Sequence, residues 1–382
     1  MESGRKGREQ MRVRKCTLRR VQMPLREPVK TSYGMHAMKD VTIVIVETEK
    51  GAVGVAECVA MREPTYTEET VSTAWHVLTD FLVPSMRDVD INETRGLRYM
   101  SERWGRIRGN WMAKAGLEMA IWDAYAAETK VPLYQLLGGT VREVPAGISL
   151  GMNSDLDALQ ERARRAVADG FQRIKLKIAP GADVEPLMAI RRALPDIPLM
   201  ADANSAYEGC AQLLAGLDGV GLMMIEQPLA YDDIVDHAAL QDKLRTPICL
   251  DESIRSANDV RRAAMIGACK VINLKPGRVG GFGSSIAVHD EAVRLGLGLW
   301  CGGMYETGIG RLHNIALCSL PGFGLPTDTG PSDRYFESDI VDPPVTFHRP
   351  GFLAVEPLCG VASRVNWKRL DDFTVQSNTI VL

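Results

Sequence analysis

The chain has 382 residues, a formal net charge of -3, 24% charged residues and 46% hydrophobic ones. That length exceeds one ordinary core and accommodates a barrel of about 250 residues plus a second domain. The balanced charge, with no basic stripe and no apolar run near the roughly 20 residues of a membrane span, argues against nucleic-acid and membrane partners, so a cytoplasmic location is expected. Eight cysteines without a CxxC pair point to reduced, buried thiols; a disulfide scaffold or zinc site is not indicated.

Residues 1–11 are polar, lack the apolar stretch of a secretory signal and are expected to be a disordered leader, with Met11 as an alternative start. Residues 12–20 and 41–48 read as strands, and 52–58 resumes as a third after a turn at 49–51. Between the first two, residues 30–35 contain Ser32, Tyr33 and Gly34; they read equally as a loop covering a site or as a plain surface connection. Thr65 and Glu68 have the spacing of a capping box for a helix over 67–82. Val71, Ala74, Trp75, Leu78, Phe81 and Leu82 form its apolar face until Pro84. A broad apolar face over 109–128 predicts a second, buried helix. Strands followed by helices indicate an α+β domain over 12–137.

From 138 to 330 strands and helices alternate. The first barrel strand is read at 144–150, ending near Ser149, and helices are read near 155–169, 184–194, 207–217, 231–243, 256–266 and 282–295. A seventh strand falls at about 296–301 and a short eighth near 323–327. The proline-rich segment 331–382 is expected to return to the first domain.

Within this alternation Lys177, Asp202, Glu226, Asp251 and Lys275 are spaced by 25, 24, 25 and 24 residues, each ending a short apolar run. Such a period fits successive units of a parallel sheet with helical crossovers, whose C-terminal strand ends form one rim if the sheet closes. Three carboxylates on successive strands suit a hard divalent cation, Mg2+ or in its place Mn2+. An ammonium on each flank suits proton transfer at a carbon next to a carboxylate. Ordinary charged strand ends in a structural barrel do not explain one shared period. The glycine-rich run 277–283 lacks the ending of a P-loop and reads as a tight connection. The N–H groups of 302–308 either receive a substrate carboxylate or make a simple turn.

At these motifs the chain resembles the enolase superfamily, in its muconate-lactonizing subgroup, and most of all the o-succinylbenzoate synthase/N-acylamino acid racemase family. The resemblance runs through 57–70, 109–118, Lys175-Leu-Lys177, the Asp202, Glu226 and Asp251 strands, Lys275-Pro-Gly-Arg278, 302–311, 320–323 and 332–336. It implies an α/β fold, a modified TIM barrel of (β/α)7β type, with an α+β capping domain formed by the N-terminal region and the C-terminal tail. Asp202, Glu226 and Asp251 would bind Mg2+. Lys177 would be the base, Lys175 would hold substrate oxygen and lower its neighbour's pKa by like-charge repulsion, and Lys275 would face the other side of the substrate. Asn204 and Glu252 would support the ligands. Ser149, Asn273, Arg278, Gly303, Met304, Tyr305 and Glu306 would serve substrate binding, with Tyr305 replacing an aliphatic residue at the acyl pocket. Loops carrying Ser32, Tyr33, Gly34, Met61 and Tyr66 would close over the site.

The implied reaction is metal-dependent α-proton abstraction from a small carboxylate substrate through an enediolate. It ends in o-succinylbenzoate synthesis, N-succinylamino acid racemisation, or both. Arg278, three residues after Lys275, resembles the racemase-competent members. Dipeptide epimerase and muconate cycloisomerase are the enzyme alternatives, and a non-catalytic barrel the alternative of another class. The resemblance also implies a homo-oligomer, dimer or octamer.

Overall fold

A computed structural model describes residues 10–31 and 34–382. Ser32 and Tyr33, two residues of the expected covering loop, and most of the expected leader lie outside the described residues. Met11, placed by sequence at the end of that leader, is buried and bridged to Ile91.

The antiparallel cap begins with β1 (Val13–Thr31), β2 (Gly34–Thr48) and β3 (Val53–Cys58). β1 and β2 run longer than their apolar patterns, because the pairing resumes past a register shift at Val29 and His36 and converts most of the expected loop into hairpin. Helix Trp111–Thr129 lies across β3. Gly54 permits that contact: a Cβ there would sit 2.2 Å from the Ala120 carbonyl oxygen.

The preceding helix is shorter than its apolar face, at Val71–Val77 followed by a π-helical turn at Leu78–Leu82. Its reciprocal cap is Thr70 with Thr73, not Thr65 with Glu68. The segment between is drawn elsewhere: the Glu69 carboxylate accepts from the N–H groups of Met112 and Ala113 (2.8 and 3.0 Å), capping the long helix instead.

The predicted first barrel strand is two elements. β4 (Glu143–Pro145) leaves the barrel, and β5 (Ile148–Leu150) enters it. Next come β6 (Ile174–Lys177), β7 (Leu199–Asp202), β8 (Ile225–Glu226), β9 (Ile248–Leu250), β10 (Val271–Leu274) and β11 (Gly298–Cys301). β5 to β11 pair in sequential order, all parallel. The eighth stave is one residue long: Thr327 N–H bonds Pro145 O (2.9 Å) on one side, and Asp328 N–H bonds Cys301 O (3.0 Å) on the other. That suffices to link the sheet edges of this (β/α)7β barrel. The helix expected over 207–217 is a 3-10 stretch, Ala211–Gly219, whose two glycines disfavour a regular α-helix.

Beyond the barrel, β12 (Phe352–Ala354) pairs antiparallel with β4, and β13 (Thr374–Val381) adds a strand to the cap beside β1. Met200, Met224, Cys249, Val271 and Trp300 fill the barrel interior as a cluster separate from the main core. All eight cysteines are unpaired, and six are buried. No helix among the described residues is long and apolar enough to cross a membrane.

Candidate active site

Alternation along β6 turns Lys175 and Lys177 to the same face. Parallel register then sets Lys177 beside Asp202 and Asp202 beside Glu226. Asp202, Glu226 and Asp251 are at most 2% exposed, which removes solvation as the reason for their charge. Lys177 Nζ lies 2.7 Å from Asp202, and Lys175 Nζ 3.2 Å from both Asp202 and Glu226. Lys275 Nζ lies 2.8 Å from Asp251. Asn204 accepts from Lys177, and its Nδ2 lies 3.4 Å from Glu252.

Burial alone favours the neutral forms of all these groups, so the pairings decide. Burial pushes Asp202 and Asp251 up, but the adjoining lysines hold both below the ordinary carboxylate range. Glu226 is raised to about 7 by burial and by repulsion from Asp202, and Glu252 to about 8 by burial and by Asp251. The expected lowering of Lys177 is not met. Burial and the Lys175 charge pull it down, but Asp202 outweighs them and the net shift is upward. Lys175 and Lys275 are likewise held protonated by their carboxylates.

Among the described residues no three His, Cys, Asp or Glu side chains already converge as a metal cage. The carboxylates are turned to the lysines instead. The donor set still fits a hard divalent ion: three buried carboxylates stand on adjacent strands, and Glu226 bears the cost of crowding that a cation relieves.

A cleft of about 760 Å³ opens over this row. Ser149, Met61, Gly303, Met304, Tyr305 and Glu306 line it, together with Tyr66, which the cap delivers to the rim. Tyr66 Oη bonds Asp251 (3.0 Å) and accepts from Lys275 and Arg278 (3.1 and 3.2 Å). Two residues expected at the substrate stand behind the ligands. Asn273 donates to Glu226 (2.6 Å), and Arg278, 1% exposed, binds Asp251, Tyr66 and two backbone carbonyls. In the 302–308 loop two N–H groups are already engaged. Its Thr307 and Gly308 N–H groups donate to Glu57 and Asp339 (2.8 and 2.9 Å), leaving neither for a substrate carboxylate. Lys39 joins the same junction, bonding Met304 O and Glu57. Tyr305 holds φ +55°, a costly conformation for a bulky residue, and meets Tyr335 edge-on at 5.5 Å.

Several cleft residues carried no usable pattern. Asp328, ending the one-residue stave, lies 2.6 Å from Lys175 and 2.8 Å from Arg173. Arg311, Arg334 and Tyr335 complete the wall. Arg311 falls in the 302–311 run of the resemblance, and Arg334 and Tyr335 in the 332–336 run, but neither run singles them out as cleft residues.

Residues 13–138 match the family described as mandelate racemase/muconate lactonizing enzyme, N-terminal domain, and residues 158–368 match the enolase C-terminal domain-like family. The chain is 48% identical to an o-succinylbenzoate synthase of Geobacillus kaustophilus, covering 94% of both chains. It is 44% identical to an N-succinylamino acid racemase of Thermus thermophilus, over 87% of this chain and 89% of the relative. A solved enolase-superfamily structure from Listeria innocua superposes with TM-score 0.93 at 40% identity, covering 97% of this chain and 99% of that one.

Proposed function

Because this chain belongs to the mandelate racemase/muconate lactonizing family of the enolase superfamily, we propose that it is a lyase/isomerase acting by α-proton abstraction, with o-succinylbenzoate synthase activity, N-succinylamino acid racemase activity, or both. One observation carries the reading: two lysines flank a row of three buried carboxylates on adjacent strands, in a chain 48% identical to a synthase and 44% identical to a racemase.

Enzymes of this family use a divalent metal ion, typically Mg2+. When bound by Asp202, Glu226 and Asp251, it neutralises the carboxylates that hold the lysines protonated and stabilises negative charge developing on the substrate carboxylate. Lys177 Nζ takes the α-proton, with Asn204 fixing its direction. Lys175, anchored by Asp328, presents a second ammonium to the substrate oxygens. Lys275 stands at the other end of the row, held by Asp251 and Tyr66. In dehydration it remains a cation while Lys177 gives the proton it took to the β-hydroxyl, which leaves as water. In racemisation it returns a proton to the face opposite Lys177. Tyr66 and Met61, from the cap, keep bulk water out. A cytoplasmic homo-oligomer, dimer or octamer, belongs to the same reading.

The test is turnover of 2-succinyl-6-hydroxy-2,4-cyclohexadiene-1-carboxylate, followed by ultraviolet absorbance with and without Mg2+, beside polarimetry on an N-succinylamino acid. Metal-dependent turnover of either substrate supports the reading. Activity only on a dipeptide or on cis,cis-muconate moves the chain to another activity of the subgroup.

A further inference from the structure

Among the described residues Tyr305 is the only aromatic one at positive φ, +55°. The chain on both sides of it is pinned from the cap. Lys39 Nζ, on β2, donates to Met304 O (2.9 Å), the carbonyl just before it. Glu57, on β3, accepts from Thr307 N–H and from its Oγ1 (2.8 and 2.7 Å), two residues after it. The two pins are joined, with Lys39 Nζ 3.0 Å from Glu57 Oε1, and both side chains are buried. Thr307 is the N-cap of helix Gly308–Leu317 yet makes no cap bond of its own, because its hydroxyl is turned to Glu57. Gly310 leaves room for that carboxylate: a Cβ there would lie 3.0 Å from Glu57 Oε2.

Packing does not explain these contacts. A cavity of about 460 Å³, lined by Lys39, Met61, Met304 and Tyr305 among others, lies between cap and loop, so the ammonium reaches across a gap. Stability does not explain them either, since the hydration lost by a buried ion pair offsets most of its attraction. What the pair supplies is geometry. A bulky residue stays in the left-handed region only where its surroundings over-determine it. Tyr305 has a fixed carbonyl before it and a fixed N–H after it, and its ring meets Tyr335 edge-on at 5.5 Å. Tyr305 and Lys177 line the same cleft, and Lys177 is among the charges acting on the phenol.

We infer that Lys39 and Glu57 are positioning residues of the site: acting as one unit from the cap, they hold Tyr305 in its strained conformation in the cleft that contains the base. The barrel wall therefore takes its shape only against a seated cap. Neither residue works on the reacting atoms; each acts through the 304–307 loop. The expected effect on rate rests on the proposed proton-abstraction chemistry, while the hold on the loop is independent of it.

The test is Lys39→Met, which keeps most of the side-chain length and removes the charge. On Mg2+-loaded protein, kcat/KM for N-succinyl-L-phenylalanine or for the cyclohexadiene carboxylate is expected to fall roughly tenfold to a hundredfold, as for a small misplacement near the chemistry. Mg2+ affinity by calorimetry stays unchanged, and Lys39→Arg recovers part of the rate. Amide hydrogen exchange, read by mass spectrometry, rises over 302–310 and not in the barrel strands. Tyr305→Gly relieves the strain, because glycine tolerates positive φ; in that background Lys39→Met loses most of its effect on rate and exchange. An equal effect in both backgrounds overturns the inference. So does a Lys39→Met protein with wild-type rate and loop exchange, or one whose exchange rises throughout the chain, the signature of a merely structural role. Should Lys39→Met not fold, Glu57→Gln decides, since it keeps an acceptor for Thr307 and discharges the pair; loop exchange at the wild-type level there overturns the inference. If wild type turns over neither substrate, the proton-abstraction reading fails for these substrates, and loop exchange in the two backgrounds still decides the positioning role.

Discussion

The two walls of the cleft are built by different means. One wall is periodic: successive strands deliver Lys177, Asp202, Glu226, Asp251 and Lys275 to one rim, where Lys177 pairs with Asp202 and Lys275 with Asp251 across adjacent strands, while Glu226, between two acids, pairs with Lys175. The other is assembled from a glycine loop, a one-residue stave and an irregular segment latched to the cap, where Arg26 bonds the Asp333 and Tyr335 carbonyls. The periodic wall holds groups for chemistry common to a family. The irregular wall, free of a repeat's spacing, carries Asp328, Arg311 and Arg334, which no period places. The barrel repeat fixes the first, while loops tolerate change in the second.

Three substitutions press on this division. Lys177→Ala, in the periodic wall, is expected to reduce turnover by roughly 10²–10⁴-fold, the usual contribution of a general base. Exchange of the substrate α-proton with deuterated solvent, followed by NMR, checks it; persistent exchange would show that another group is the base.

Asp328→Asn tests whether the irregular wall also supports the chemistry. It removes the acid that pairs with both Arg173 and Lys175, leaving buried cations. The expected loss is about 3–5 kcal/mol of stability, read from urea midpoints, along with reduced turnover. The pH dependence has a definite sign. Lys175 and Arg173, overcoming burial, hold Asp328 below its ordinary pKa. Its stabilisation is therefore complete above the unfolded value, near 4, and is lost as pH falls through the lower folded value. The gap between wild type and variant should narrow below about pH 4. A constant gap would assign the loss to packing rather than charge.

Tyr66→Phe, where the cap meets the periodic wall, is the smallest change. It deletes one hydroxyl shared by Asp251, Lys275 and Arg278. A hydrogen bond to a charged group contributes about 1.5–3 kcal/mol, so turnover should fall roughly tenfold to a hundredfold. An unchanged rate would make Tyr66 a lid residue only.

How far the sequence reaches follows the same division. Strand ends from Lys177 to Lys275 were legible because each sits at the end of an apolar run in a repeat of constant length. The helix at 67–82 was misread at its start because Glu69, inside the expected first turn, caps a helix more than forty residues away. Asn273 and Arg278 were placed at the substrate through a family resemblance. Only the tertiary structure shows Asn273 Nδ2 donating to Glu226 and Arg278 bound to Asp251.

By itself, then, the sequence determined the barrel, its order of strands and the row of charges, since a periodic pattern of burial admits few architectures. It also carried the expectation of a cap completed by the C-terminal tail. The tertiary structure alone decided which lysine each acid holds, that Asp328 closes the ring and anchors Lys175, and that Arg311 lies buried without an acid. Those facts depend on side chains brought together across long stretches of chain, where no local propensity or spacing records the meeting.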